Sequence, residues 1–433
     1  MLGLTRYQWT VLLAAWLGWG FDLFDAILFN YVAPNCVPTL LGIEIGTPEA
    51  KAATLYWTGL LTAMLLVGWA IGGVFFGVLA DRIGRKRTMV ITMIMYSVGT
   101  AACAFAPNLA WLFAFRLLAS LGIGGEWAAG AAIVSEVMPE DRRVEAGALL
   151  YTAAPVGLLL ATLVNQLIAG HWLADSPEVS WRVIFLFGLV PAAVTFAVRH
   201  FVKEPERWSE RRARVAPARV ADLFAADTLG ITVRGTLLAA VALVSWWTIN
   251  GFLPTIAAGL AQATAKASGL DGSGTRALIE SWKTQANLSY NLGGLLGTLL
   301  LIPIAKHLGR KPMFAMYFLA SAMAIFLAAG MDWPPGTRLY LFFFVGLAVF
   351  GIFGSFTFYL PELYPTRLRG TGSGFCYNIG RLLASAGPFI VGTIAARGTE
   401  HALTAIAWVS IAPLVGLLLV PFVIETRGRT MAD

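Results

Sequence analysis

Five ionisable side chains stand inside apolar stretches of this chain: Asp22, Asp25, Arg116, Glu126 and Arg381. A charge placed at the centre of a membrane helix costs about 2.5 to 3.5 kcal/mol on insertion scales, so such groups face an interior cavity and act there. Asp22 and Asp25 are spaced i, i+3 in Trp19-Gly20-Phe21-Asp22-Leu23-Phe24-Asp25, which places both on one helix face. Two like charges so close do not both ionise readily, which makes at least one a candidate proton carrier near neutral pH. Glu126 lies roughly 15 Å beyond Arg116 along a helix, so each is expected to pair with another helix rather than with its neighbour. Arg116 with Asp22 or Asp25 is the natural pair, acting as a relay that opens when a proton or substrate arrives. The alternative is a static buried ion pair that holds the amino-terminal half together.

Arg381 lies in Phe375-Cys376-Tyr377-Asn378-Ile379-Gly380-Arg381, with Asn378 at i−3 on the same face and Tyr377 beside it. Carboxylates inside the spans fall only in the amino-terminal half, so Arg381 is expected to stand alone in the carboxyl-terminal half. A guanidinium without a protein carboxylate invites an anionic ligand, because its planar fork matches a carboxylate with two parallel hydrogen bonds. Backbone carbonyls or an aspartate from the other half are the competing partners. Nearby apolar stretches add polar groups suited to orienting a small molecule: Trp247 and Asn250 in one, Asn287, Tyr290 and Asn291 in the next, Asn165 and Gln166 in an earlier one. For any single Asn or Trp, helix–helix hydrogen bonding or an interfacial belt is the better account of the residue. The turn carrying Asn287, Tyr290 and Asn291 stands out because three polar groups crowd it.

The elements that must position these residues are membrane helices. Apolar residues make up 58% of the 433 and charged residues only 13%, against roughly 25% charge in soluble domains. Apolar runs long enough to cross a hydrocarbon core of about 30 Å recur near 9–34, 55–80, 88–106, 109–135, 145–170, 181–202, 235–261, 283–305, 313–330, 338–360, 372–395 and 402–424. The first run is too long for a signal-peptide core, carries two aspartates and lacks a small-residue cleavage site, so it reads as helix 1. Cys36, Cys103 and Cys376 sit singly, without metal-ligand spacing or an obvious disulfide partner. Of the 31 Lys and Arg, 22 fall on one set of loops and tails, seven on the opposite set, and Arg116 and Arg381 inside spans. The Lys- and Arg-rich side is expected to be cytoplasmic, with both termini on it. The net charge of +7 therefore reports topology and not a nucleic-acid footprint. The polar stretch from Lys203 to about Gly230 divides the chain into an amino-terminal bundle (1–202), a linker (203–230) and a carboxyl-terminal bundle (231–433).

The halves repeat. Gly77-Val-Leu-Ala-Asp81-Arg82-Ile-Gly84-Arg85-Lys86-Arg87 follows the second run, and Pro303-Ile-Ala-Lys-His307-Leu-Gly309-Arg310-Lys311 follows the eighth. Ser135-Glu136-Val-Met-Pro139-Glu-Asp-Arg-Arg143 after the fourth matches Pro361-Glu362-Leu-Tyr-Pro365-Thr-Arg-Leu-Arg369 after the tenth. Both pairs share nearly the same offset, as duplicated halves in one orientation require.

On these motifs the chain resembles the major facilitator superfamily over nearly its whole length, Gly77 to Arg87 being similar to that superfamily's loop 2-3 signature. The resemblance implies an all-α membrane protein of twelve transmembrane helices in two pseudo-symmetric six-helix bundles. It also implies a conformational latch built from Gly77, Asp81, Arg82, Gly84, Arg85, Lys86, Glu136, Arg143, Glu362 and Arg369. Lys203-Glu-Pro-Glu-Arg-Trp208 and Glu425-Thr-Arg-Gly428 resemble, less closely, the segments after helices 6 and 12 of the sugar-porter-like branch. Asp22-x-x-Asp25, Gly125-Glu126-Trp127 and Tyr377-Asn-Ile-Gly-Arg381 together resemble the sialate, aromatic-acid and metabolite proton symporters. In the run from Arg116 to Trp127 the glycines would let helix 1 approach helix 4. Helix 1 reads Phe-Asp22-Leu-Phe-Asp25 where aromatic-acid symporters favour Asp-Gly-x-Asp, which weakens transfer of the aromatic substrate more than of the mechanism. Ala153-Ala-Pro-Val-Gly157 lacks the glycine framework of drug-proton antiporters, and no glutamine-rich helix 7 of the sugar-porter type is present.

The reading is a proton-coupled symporter that imports a small organic carboxylate by alternating access across a bacterial inner membrane. Arg381, Asn378, Tyr377, Asn287, Tyr290, Asn291, Trp247 and Asn250 would bind the substrate, and Asp22, Asp25, Glu126 and Arg116 would couple it to protons. A sugar or polyol proton symporter is the alternative. A substrate-sensing receptor on a transporter scaffold is the reading from another class, although the chain stops about nine residues past its last apolar run. An enzyme is not expected, for want of a nucleophile with a base at useful spacing or a metal cluster among four histidines. No cofactor or metal is expected, the coupling ion is H+, the partners are an organic anion and the bilayer without nucleic acid, and the monomer is the working unit.

Overall fold

The computed structural model describes residues 4–83, 85–139, 142–191, 193, 219–365 and 368–427, and among these leaves aside the side chains at 77, 78, 80–82, 85, 125–133, 135, 136, 143, 144, 369 and 370. The described residues are 87% helical and form no strand, in twelve elements. In the first half, α1 is Arg6–Leu41, α2 Pro48–Ile83, α3 Arg85–Ala102 and α4 Leu109–Val137; α5 joins Arg143–Tyr151 to Ala153–Leu167, and α6 begins at Pro177–Leu186. In the second half, α7 is Leu229–Ala267, α8 Gly272–His307 and α9 Arg310–Ile325; α10 joins Pro335–Val345 to Phe353–Glu362, α11 joins Arg369–Ala384 to Ala386–Ala395, and α12 joins Thr399–Val409 to Ile411–Leu419. Nine described stretches are long and apolar enough to cross a bilayer, and α4 adds the shorter Leu109–Gly124.

Helix ends follow local chemistry. Thr5 starts α1 with a capping box: its hydroxyl accepts from Gln8 N at 3.3 Å while Gln8 Oε1 accepts from Thr5 N at 2.9 Å. Several helices extend well past their apolar cores. The apolar run expected at 283–305 lies in an α8 that begins at Gly272, with Asp271 accepting from Gly274 N as its cap. Eleven residues outside the expected span are thus helical, because an apolar window that starts at Lys283 discards the turn that carries Glu280.

The two halves touch on both faces of the bundle. On the face that carries the chain termini, Lys306 of α8 pairs with Glu145 of α5; deeper in, beside Phe350, Tyr151 of α5 stacks on Phe353 of α10 with ring centroids 6.1 Å apart and planes 13° apart. On the opposite face Gln262 donates to Gly46 O at 2.7 Å, Arg276 meets Asp175 at 3.1 Å, and Thr284 donates to Gln166. The linker proposed at 203–230 lies outside the described residues up to 218. From Val220 to Phe224 the chain forms a short 3-10 turn against α7 and α11.

Candidate functional site

Arg381 is buried near the middle of α11. Its guanidinium lies 4.2 Å above the ring of Trp69 from α2 and 4.8 Å from the ring of Tyr377, and one Nη donates to Asn378 Oδ1 at 2.8 Å. Arg381 Nε has no hydrogen-bond partner, and no ion pair of Arg381 occurs among the described residues. The i, i+3 spacing of Asn378 and Arg381 thus produces the contact expected of it. Trp69 carried no signal in the sequence beyond its place in an apolar run. It is placed by a close helix crossing: a Cβ on Gly124 of α4 would come within 2.2 Å of the Trp69 carbonyl oxygen. The α4 glycines Gly122 and Gly124 therefore admit α3 and α2, not helix 1 as expected.

An aromatic wall runs on from Arg381. Trp247 meets Trp69 edge-on at 5.4 Å, Trp246 meets Trp247 at 4.6 Å, and Phe350 lies 5.4 Å from Trp246 and 6.0 Å from Tyr290. Trp247 thus packs on Trp69, and Tyr290 connects to it through Phe350 and Trp246. Both amide atoms of Asn250 are buried without partners, as are Asn287 Oδ1 and the Tyr290 hydroxyl. Buried polar groups are normally bonded, so this cluster has hydrogen-bonding capacity to offer a polar guest. Asn287 and Asn291 otherwise donate to carbonyls one turn back, Lys283 O at 2.7 Å and Asn287 O at 2.8 Å.

Asp22 and Asp25 are buried in α1, and Asp22 lies within electrostatic range of Arg381. The expected Arg116 pairing is corrected. Its guanidinium does not bond a carboxylate; it forks onto two successive α1 carbonyls, Asp25 O at 2.9 Å and Ala26 O at 2.6 Å. Both Asp25 carboxylate oxygens remain without hydrogen-bond partners beside that cation. Each can take up a proton without first giving up a hydrogen bond. The side chain of Glu126 lies outside the description.

A second correction concerns the carboxyl-terminal half, which was expected to hold no buried carboxylate. Glu280 and Lys283 of α8 are 6% and 0% exposed and form an ion pair at 2.7 Å. Lys283 also donates to Tyr31 O of α1 at 3.2 Å, and Glu280 accepts from Asn165 Nδ2 of α5 at 2.9 Å. Lys283 was counted among the loop cations; the signal that could have retrieved it is the i, i+3 pair continuing the Asn287 and Tyr290 face by one turn.

A family model described as "Major Facilitator Superfamily" matches residues 15–388. The chain belongs to that superfamily. A niacin transporter of Acinetobacter baylyi is 27% identical over 99% of this chain and 97% of its own, and a gentisate transporter of Corynebacterium glutamicum is 27% identical over 89% and 81%. The crystal structure of a D-xylose-proton symporter superposes with a TM-score of 0.75 at 19% identity, covering 98% of this chain and all of that one, which shows a shared fold. The protein is thus a multi-pass membrane transporter with the major facilitator fold.

The superfamily's loop motif can be followed in the second half. Gly309, at φ +100°, precedes α9, and a Cβ there would come within 2.8 Å of Glu425 Oε2. Arg310 Nη2 and Nε donate to Glu362 at 2.7 and 3.2 Å, and Thr426 donates to the same carboxylate. Glu425 accepts from the backbone N–H groups of Arg310, Lys311 and Arg427 at 2.9 to 3.0 Å. Partial burial works against its charge, yet these donors hold the Glu425 carboxyl below the ordinary glutamate range. Glu362, one of the expected latch residues, thus ties the start of α9 to the end of α10. Lys86 is described at the start of α3, whereas the side chains of Gly77, Asp81, Arg82, Gly84, Arg85, Glu136, Arg143 and Arg369 lie outside the description.

Proposed function

We propose that this transporter imports a small organic carboxylate together with protons. The observation that carries the reading is the Arg381 guanidinium, enclosed on Trp69 and Tyr377 with Asn378 Oδ1 as an acceptor and an Nε–H without a partner. A charge buried in this way is costly without a counter-charge. A ligand carboxylate supplies one and completes the fork. The aromatic lining suits an unsaturated or aromatic body, and the names of two relatives, for gentisate and niacin, point to carboxylates of that shape.

Asp22 and Asp25 are the proton carriers in this reading, with Arg116 holding the α1 backbone beside them. Arg381, Asn378, Tyr377, Trp247, Asn250, Asn287, Tyr290 and Asn291 receive the substrate. The face with the termini is cytoplasmic, since it gathers most of the loop Lys and Arg. The protein sits in a bacterial inner membrane and works as a monomer. Alternating access exchanges the contacts on one face for those on the other around Arg381.

Proteoliposomes test this directly. Under an inward proton gradient they should accumulate an aromatic or other small organic acid and lose the accumulation when a protonophore is added. Accumulation that survives the protonophore and requires sodium overturns the proton reading; uptake of hexoses with no uptake of acids overturns the carboxylate.

A further inference from the structure

The ion pair on α8 has no part in the site around Arg381. Lys283 stands about 10 Å along the helix from Tyr290, towards the face opposite the termini. It is fully enclosed, and its ammonium touches two things: Glu280 on its own helix at 2.7 Å and the Tyr31 carbonyl across the interface at 3.2 Å. Glu280 likewise has one partner at home and one across the interface, Asn165 Nδ2 at 2.9 Å. Each charge is thus satisfied half by α8 and half by the amino-terminal bundle, through α1 and α5. Gln166, next to Asn165, receives Thr284, next to Lys283, so the same turn of each helix is stitched twice.

We propose that Glu280 and Lys283 form the outer gate of the transport path, a charged interlock between the halves that must part when the site opens to the outside. Burying an ion pair gains little net stability, whereas removing part of its environment leaves a charge that must be rehydrated. Such a contact behaves as closed or open, with little tolerance for a half-separated state. When α5 and α1 draw away from α8, Asn165 and the Tyr31 carbonyl leave together and water takes their places on Glu280 and Lys283. The pair itself stays intact on α8, since both residues belong to one helix. The interlock therefore controls separation of the halves without disturbing α8. The word outer rests on the orientation proposed above; the gate itself does not depend on the nature of the substrate.

Spin labels read the gate without any substrate. One pair of cysteines at Trp172 and Leu270, both exposed and on opposite halves of this face, reports its separation; a second pair at Arg87 and Leu308 reports the face with the termini. The three native cysteines are buried and do not compete for label. Distances are measured by pulsed electron double resonance on the full chain in nanodiscs. Asn165→Ala removes the cross-interface bond and leaves the Glu280–Lys283 pair. Glu280→Gln leaves Lys283 enclosed without its counter-charge, a strain that opening to water relieves. Loss of a hydrogen bond to a charged group from the closed state should raise the open population by about tenfold. The expected result is a longer 172–270 distance population in both variants with an unchanged 87–308 distribution. An unchanged 172–270 distribution in Asn165→Ala overturns the gate, and so does equal loosening of both faces, which marks a merely structural pair. Either failure leaves the carboxylate reading standing, since no ligand enters the measurement.

Discussion

Arg381→Lys keeps the buried charge and removes the fork. In the structure the guanidinium spends one N–H on Asn378 Oδ1 at 2.8 Å, lays its face on Trp69 at 4.2 Å, and leaves Nε–H free for a guest. An ammonium offers a point charge instead of a plane, so a ligand carboxylate keeps its attraction but loses the second of two parallel hydrogen bonds. A hydrogen bond to a charged group contributes about 1.5 to 3 kcal/mol. Part of the cation–π contact with Trp69, about 2 kcal/mol when desolvated, is lost as well because a lysine head sits differently over the ring. Together these place the cost near 3 kcal/mol, roughly a hundredfold in Kd. A thermal-shift screen of monocarboxylates, aromatic acids, sialic acid and hexoses identifies a ligand, since binding stabilises the fold by mass action. Equilibrium titration of that ligand on wild type and variant then gives the ratio. A carboxylate that binds the lysine variant within threefold of wild type removes Arg381 from the site and with it the main reason for expecting an anion.

Two further outcomes follow from single contacts. Asp25→Asn should abolish accumulation of the acid under a proton gradient while sparing counterflow exchange in proteoliposomes, because the amide fills the same space but cannot carry a proton; full accumulation by the variant would clear Asp25 of that role. Glu425 should confer a pH dependence on stability. Its carboxyl titrates below the ordinary glutamate value of about 4.3, held there by three backbone N–H donors against the opposing effect of burial, so its contribution is complete above that value and disappears as pH falls through the folded one. Melting temperature in detergent should drop more steeply below about pH 4 for wild type than for Glu425→Gln, and coincident curves would show that the N–H cradle stabilises nothing.

Hydropathy located the spans because lipid demands long apolar helices whatever else they do, and the offset between Gly84 and Gly309 located the repeat. Contacts within one turn were equally legible: Asn378 meets Arg381 as the spacing required. Contacts between helices were not. Arg116 was assigned a carboxylate on charge alone, yet a guanidinium at a helix crossing finds two successive carbonyls as readily as an acid, and sequence spacing along α1 says nothing about which of them faces α4. Trp69 was missed because a tryptophan in an apolar run is commonplace until its neighbour proves to be a cation. Glu280 and Lys283 were missed for the opposite reason. Glu280 fell outside the apolar window and Lys283, at its edge, was counted with the loop, yet their turn is buried where the other half of the protein covers it.

The two seals on either side of Arg381 differ in kind, and the difference bears on how transport is timed. Towards the face with the termini the halves meet through Tyr151 stacked on Phe353, with a half-exposed Lys306 paired to the mostly buried Glu145 nearer the rim. Aromatic stacking is weakly directional, so helices can slide over one another while the seal thins gradually. On the opposite face the seal is an enclosed pair with fixed donors and acceptors, which holds or breaks as a unit. A ligand can shift such an equilibrium only by binding one state more tightly than the other, by about 1.4 kcal/mol for each tenfold change in population. An anion that completes the Arg381 fork needs Trp69 and Tyr377, which come from different halves, and so favours the state in which both seals are closed. If Asp22 or Asp25 takes up the proton as proposed, the change acts on the half that carries Tyr31, the residue whose carbonyl holds Lys283. The charged seal is therefore the one through which events in α1 can reach the opening step, and the aromatic seal the one free to yield afterwards.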